Sequence, residues 1–430
     1  MSNGGAKTSS TDLATVPIFR VPGFLATLVS TAAAFCAWAL LLPVIPQAVL
    51  DEGGSNTAAG AITGVFMAAT VLTQTQTPLL LRNLGYRATM LISAVFLALP
   101  TLGHLISMDG WLVLTIAALR GVGFGCMTVA QSALLAELVP SNRLGRAAGL
   151  MGMCIGLAEL IGLPAGLLMA DSVGYPPVYI VATIIGAIGG VMALLIPNIK
   201  AAPKQAKGRK DSASATDSES EHQPARPLWR LVLVPIMAMS CVSMAFGGVS
   251  TFLAPAARAF DPVAGATVGG ICLGVVGAGQ MLARYVAGAV ADRAGGAGKT
   301  LAPGLMLAVL GMAATAFVLS TDVSAWWILP AALLYGMGFG TVQNESLLLL
   351  FERLTSKRAS QASALWNIAF DGGTGIGSFV LGAVAAAGFV TMFGTAGAII
   401  FVGFVAAIAD AMFAPERKQH RLKNVEKLKK

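Results

Sequence analysis

Arg120, Glu159 and Asp371 each sit inside a long apolar stretch of the chain. An ionisable side chain held at such depth in a low-dielectric medium is costly unless it is paired or used. With a rise of about 1.5 Å per helical residue, Arg120 and Glu159 lie about 13 and 16 Å from the outer ends of two consecutive antiparallel runs. Similar depth predicts a coupled pair. Glu159 would take up a proton or a cationic ligand, and Arg120 would tune that affinity as access to the site changes. The alternative is a permanent salt bridge that only fixes packing. Asp371 lies about 18 Å from the outer end of its own run. Asn367 falls one turn before it and Trp366 beside Asn367, so the group could line a cavity. Gly372 and Gly373 follow directly, which also allows a local kink at Asp371.

Other polar groups share these runs. Thr73, Gln74, Thr75, Gln76 and Thr77 make an unusually polar stretch, of which alternate members such as Gln74 could face a cavity. Gln280 and Arg284 are one turn apart, with Arg284 near the inner end. Gln343, Asn344 and Glu345 are too close in sequence to share one face; Glu345 lines the inner mouth or reaches inner-loop cations. Glu137, Glu352 and Asp410 fall at inner ends and read as gate or topology charges.

The elements that must hold these groups are spanning helices. The chain has 430 residues, 56% hydrophobic and only 11% charged, with a mean hydropathy of +0.76. That excludes a soluble enzyme, a disordered scaffold and a secreted disulfide protein. Five cysteines (Cys36, Cys126, Cys154, Cys241 and Cys272) are scattered through apolar runs and form no metal or disulfide spacing. About 20 apolar residues cross a bilayer as a helix. Such runs fall near 21–48, 58–80, 87–107, 111–138, 145–170 and 176–197, then 228–253, 264–289, 300–320, 325–350, 360–383 and 389–413. They are solid blocks rather than the short dyads of a barrel, so the expected fold is an all-α membrane protein. The first run is long and lacks a cleavage site, and so reads as a span.

Charge placement orients the bundle. With both termini in the cytoplasm, 25 of the 28 Lys and Arg fall in inner loops and tails. Outer loops carry Asp51, Glu52, Asp109, Asp171, Asp261 and Asp322, with Arg258 as their single cation. The net charge of +8 is therefore a topology signal near anionic lipid, not a nucleic-acid surface. GGAGKT, Gly295 to Thr300, lacks the first glycine of a phosphate loop, since Arg293 occupies that place. No strand precedes it, so no nucleotide is expected.

The chain divides into a cytoplasmic tail (1–20), six helices (21–197), a polar, serine-rich linker expected to be disordered (198–227), six more helices (228–413) and a basic tail (414–430). The halves repeat at an offset of 215 residues. Gly121, Gly123 and Gly125 align with Gly336, Gly338 and Gly340, Glu137 with Glu352, and Arg143 with Arg358. The glycines let helices approach closely. Both copies start outside, so the halves are parallel repeats about an axis along the membrane normal, with a site near midplane between them.

GAVADRAGG, Gly288 to Gly296, resembles the Gly-x-Leu-x-Asp-Arg-x-Gly signature of the major facilitator superfamily. The matching residues are Gly288, Asp292, Arg293 and Gly295, between the eighth and ninth helices. The resemblance implies a gate latch in which Asp292 faces a helix N-terminus of the other half. The first-half copy keeps Gly85 and Arg87 but has Arg82 in the acidic slot and Pro78 in the first glycine slot. Arg120 with Gly121, Gly123 and Gly125 resembles the family pattern linked to proton coupling. ELIGLPAGLLM, Glu159 to Met169, loosely resembles the antiporter pattern, with Leu163 between Gly162 and Pro164. The resemblance implies a secondary transporter of the cytoplasmic membrane, not an enzyme. It would work as a monomer without cofactor or metal, with a small molecule, protons and membrane lipid as its partners. Proton-coupled efflux of an amphiphilic compound is the first expectation. Uptake of a sugar or organic anion, and lipid or glycolipid flipping, are the alternatives.

Overall fold

Apolar runs of this length leave helix as the only backbone that satisfies its own polar groups in lipid. The computed structural model describes residues 18–139, 144–200, 228–294, 296–354 and 359–412, and twelve helices there are long and apolar enough to span. They are α1 Phe24–Asp51, α2 Asn56–Asn83, α3 Tyr86–Ala98, α4 Gly110–Leu138, α5 Leu144–Val173 and α6 Tyr175–Leu194, then α7 Leu228–Phe260, α8 Gly265–Ala294, α9 Leu301–Leu319, α10 Ile328–Arg353, α11 Ala359–Ala385 and α12 Phe389–Met412. The third span finishes as a 3-10 stretch, Leu99–Leu105. Pro100 stands at its start and has no N–H to continue the α ladder. Nearly all of the linker, the N-terminal tail to residue 17 and the basic C-terminal tail lie outside the described residues.

Three helix ends differ from the sequence expectation. α7 runs about two turns past the apolar block and carries Arg258 inside its last turn. Asp171 likewise lies in the last turn of α5, and Asp51 is the final residue of α1. Hydropathy underestimates a helix wherever its end packs on protein instead of lipid.

Within each half the same glycines do the same job. α4 lies against α2 at Gly121 and Gly125 and against α3 at Gly123, and α10 lies against α8 at Gly336 and Gly340 and against α9 at Gly338. A β-carbon on Gly340 would come 2.1 Å from the Gln280 carbonyl oxygen, and one on Gly121 would come 2.2 Å from that of Phe66. Backbone cannot yield as a side chain can. Gly340→Leu is therefore expected to cost more than the about 1–3 kcal/mol of ordinary overpacking, seen as a clear fall in unfolding temperature in detergent. Gly394→Ala, with open space around it, should leave that temperature unchanged or slightly raised.

α5 departs from chain order. It packs on α1 and α8, whereas α4 packs on α2 and α3. The halves meet along two seams, α2 with α11 and α5 with α8, joined by α1 and α2 against α7.

Candidate functional site

One end of the bundle is latched. Arg258, at the end of α7, donates to Asp171 of α5, and its other terminal nitrogen lies 3.7 Å from Asp51 of α1. Asp51 also accepts from the Tyr175 hydroxyl and, at 2.6 Å, from Gln47. A single cation of the second half thus meets two carboxylates of the first, one of which, Asp51, is itself positioned by an amide and a phenol. Asn56 adds a bond across the α2/α11 seam, donating to the Ala385 carbonyl at 3.0 Å. Gly60 lies so close to α11 that a β-carbon would fall 2.1 Å from the Ser378 carbonyl oxygen.

Farther from the latch the two seams behave differently. Along α2/α11 contact continues to Asp371, which is buried and accepts from Gln74 Nε2 at 2.6 Å. The same Gln74 amide donates to Thr128 of α4 at 3.1 Å. Asp371, Gln74 and Thr128 therefore string one polar path through three helices of both halves. Asp371 lies about 21 Å along α11 from its latched end. α11 passes through Gly372 and Gly373 without a break, and Gly373 packs on Ser240 and Ser243 of α7.

Along α5/α8 the helices touch at Leu168 with Gly270, Pro164 with Gly274 and Leu160 with Gly277, and then part. A β-carbon on Gly156 would meet only the Met281 sulfur, at 4.0 Å, and one on Gly152 or Gly149 would meet nothing within 4 Å. The gap is a cleft of about 690 Å³, lined by Glu159 on one wall and by Gln280, Arg284 and Tyr285 on the other. The described residues are thus joined at the Arg258 end and separated at the opposite end of this seam.

This geometry corrects the expected Arg120–Glu159 pair. Arg120 is 3% exposed inside the first half. Its Nε donates to the Leu97 carbonyl at 3.4 Å, and its guanidinium stands 5.7 Å from the centre of the Phe66 ring. Beside it is a void of about 20 Å³, room for about one water. His104 lies in the same region, buried against Tyr179 with neither ring nitrogen partnered. Glu159 faces Arg284 and Gln280 across the seam instead. Similar depth on consecutive helices did not bring the two residues together, because α4 and α5 face different neighbours.

Other expected cavity groups are engaged elsewhere. Trp366 Nε1 donates to the Gln343 carbonyl and to Ser346 Oγ, both at 3.1 Å, and its ring stacks on Phe370. It ties α11 to α10. Asn367 donates to the Ser363 carbonyl of its own helix at 2.9 Å. Gln343 accepts from Gln280 at 3.0 Å, which joins α10 to α8 directly behind the cleft. Glu345 is 1% exposed and lines no mouth. Its carboxylate accepts from the Gly298 N–H, while Glu352 accepts from the Ala297 N–H at 2.7 Å. The glycine-rich segment that resembles a phosphate loop thus cradles two carboxylates of α10. Glu352 is therefore a loop clamp, and Asp410 pairs with Arg353.

For the gate motif, Gly288 lies near Asn344 and Arg293 is exposed. Gly295, the Asp292 side chain, Arg143 and Arg358 fall outside what is described. Gly85 takes φ +86°, and the N–H of the next residue, Tyr86, donates to the Ile199 carbonyl at 2.9 Å. A β-carbon there would meet that carbonyl oxygen at 2.8 Å, so only glycine suits the site. Arg87, half-buried, follows at the start of α3. Among the described residues no three His, Cys, Asp or Glu converge as a metal site. The latch is what sequence reasoning missed. Its one signal was a lone Arg258 among six outer carboxylates.

Twelve spans in two repeated halves, with acids on both seams between them, point to a multi-span membrane transporter. Residues 27–378 match the Major Facilitator Superfamily, and the chain belongs to that family of transporters, which are not enzymes. Solved structures share the fold. A peptide transporter of the POT family bound to sulfate superposes with a TM-score of 0.75 at 14% identity, covering 94% of this chain and 98% of that one. A nucleoside transporter superposes at 0.67 and 12% identity, covering 91% and 100%. In sequence, the chain is 29% identical over 114 residues to an uncharacterized MFS-type transporter of Mycobacterium tuberculosis, a stretch spanning 26% of this chain and 20% of that protein.

Proposed function

We propose that the protein is a proton-coupled exporter of small amphiphilic molecules in the cytoplasmic membrane, working as a single chain with both termini in the cytoplasm. The observation that carries this reading is Asp371, a buried carboxylate bonded to the opposite half well away from the latch. An ionised carboxylate holds the Gln74 amide by a charge-assisted bond, roughly twice as strong as a neutral one. A proton on Asp371 removes that charge and weakens the bond between halves. The occupancy of one proton site then biases how the two bundles rock.

Positive-inside counting makes the Arg258 end the outer one and the parted α5/α8 end the cytoplasmic one. The chain is then in an inward-open state, ready to receive cargo from the inside. Release of a proton from Asp371 to the cytoplasm accompanies loading. Uptake of a proton from outside accompanies discharge, so an inward proton gradient drives export. An apolar cleft with one acid and one base suits an amphiphile better than a sugar, which needs a dense set of hydrogen-bonding groups.

The test is the full chain in proteoliposomes with an imposed pH gradient and a panel of amphiphilic drugs, sugars, organic anions and lipids. Amphiphile movement against its own gradient, with proton flux in the opposite sense, is the expected result. Sugar- or anion-dependent proton flux in the same sense as the substrate would replace export with uptake.

A further inference from the structure

The α5/α8 cleft has a feature that export of a generic amphiphile does not require, namely an ordered pair of opposite charges. Glu159 lies about 21 Å from the latched end of α5, and Arg284 about 28 Å from the latched end of α8. The acid is therefore the deeper group and the base is nearer the parted end. Both line the same cleft, whose volume of about 690 Å³ falls within the range of sites that hold drug-sized molecules. Toward the parted end one wall carries Gly149, Gly152 and the exposed Met153. A β-carbon on Gly149 or Gly152 would meet nothing within 4 Å, in contrast to the tightly packed glycines of α4 and α10. The opposite wall is apolar and outward-facing, with Met281, Leu282 and Tyr285 exposed at its rim. The cleft therefore opens sideways where the two halves separate, at the level of one leaflet.

We infer that this cleft binds an amphiphile taken from the leaflet whose headgroup carries an ammonium at its tip and a phosphate next to its tail. The inference deepens the export reading and rests on it. The ammonium enters first and meets Glu159. The phosphate follows and meets the Arg284 guanidinium, a geometry that suits a forked donor. The tail trails along the Gly149–Gly152 wall into lipid. A plain cation would satisfy Glu159 and leave Arg284 without its counter-charge, and a plain anion would do the reverse. A headgroup with the same two charges in the opposite order would set like charges against each other.

The order of charges makes the test specific. The probe is radiolabelled dodecylphosphocholine, bound saturably to the full chain in phosphatidylglycerol nanodiscs. Its comparators share the twelve-carbon tail: an alkyl betaine of reversed charge order and dodecyltrimethylammonium. Dodecylphosphocholine is expected to bind at least tenfold more tightly than the betaine. Arg284→Gln should weaken dodecylphosphocholine about tenfold and leave dodecyltrimethylammonium bound as tightly or more tightly, whereas Glu159→Gln should weaken both. Gly152→Leu, which has room to fold, should block all three by filling the groove at an unchanged unfolding temperature.

Replacing part of the phosphatidylglycerol by phosphatidylethanolamine separates two sources of the same headgroup chemistry. Competition assigns the cleft to diacyl lipid, and its absence, with probe selectivity intact, assigns it to single-chain amphiphiles. Equal affinity for the two charge orders, or binding indifferent to both charge substitutions, would overturn the inference. Proton-driven movement of other compounds would survive that outcome. Its loss for every compound would instead remove the export reading itself.

Discussion

Asp371→Asn is expected to abolish gradient-driven transport, with a fall of at least 100-fold in uphill flux at saturating substrate, while the protein stays folded. Asn keeps the size of Asp and can still accept from Gln74, so the bridge to Thr128 has a neutral substitute. It cannot exchange a proton. Downhill substrate exchange, which needs rocking but no net proton transfer, should persist within a fewfold of wild type. If uphill flux survives in Asp371→Asn, the proton site is elsewhere and Glu159 becomes the remaining acid on a seam. A purely structural role for Asp371 would lower both kinds of flux together, so the split between them is the diagnostic.

The second large effect is expected at the latch. Arg258→Glu would place three carboxylates together where one cation now joins two. A charge-assisted hydrogen bond contributes about 1.5–3 kcal/mol. The exposure of Asp51 argues for the lower part of that range, and repulsion adds to the loss. About 2 kcal/mol shifts a two-state population roughly 30-fold. The variant should therefore open at the Arg258 end, with cysteines placed on that face becoming reactive to membrane-impermeant maleimide. Arg258→Lys keeps the charge but loses the fork, and should lie between the two. An unchanged labelling pattern in Arg258→Glu would show that seam packing, not the ion pairs, closes that end.

The fold was legible because lipid imposes a strong rule. Twelve apolar blocks, a 215-residue repeat and glycines spaced for close packing left little freedom in the architecture. Depth along each helix was legible as well, since it follows from counting residues. The azimuth of each side chain was not. Arg120 and Glu159 lie at similar depth on consecutive helices but face different partners, and nothing in α4 or α5 alone announces that α5 packs on α8. Trp366 and Glu345 were misplaced for the same reason. Each is polar and within a span, and each is used by a neighbour that the one-dimensional pattern does not reveal: the α10 backbone for Trp366 and the loop before α9 for Glu345. Arg258 escaped because hydropathy ended α7 too early.

In the proposed mechanism one end of the bundle closes as the other opens, with the proton on Asp371 choosing between them. It is tested most directly by two spin-label distances in one sample series. In a cysteine-free background, one pair joins Glu52 to Val263 across the latched end, and the other joins Leu84 to Phe351 across the opposite end. On acidification in nanodiscs the first distance should lengthen while the second shortens, and Asp371→Asn should remove the response. Two distances that move in the same direction, or a pH response that persists in Asp371→Asn, would contradict the account.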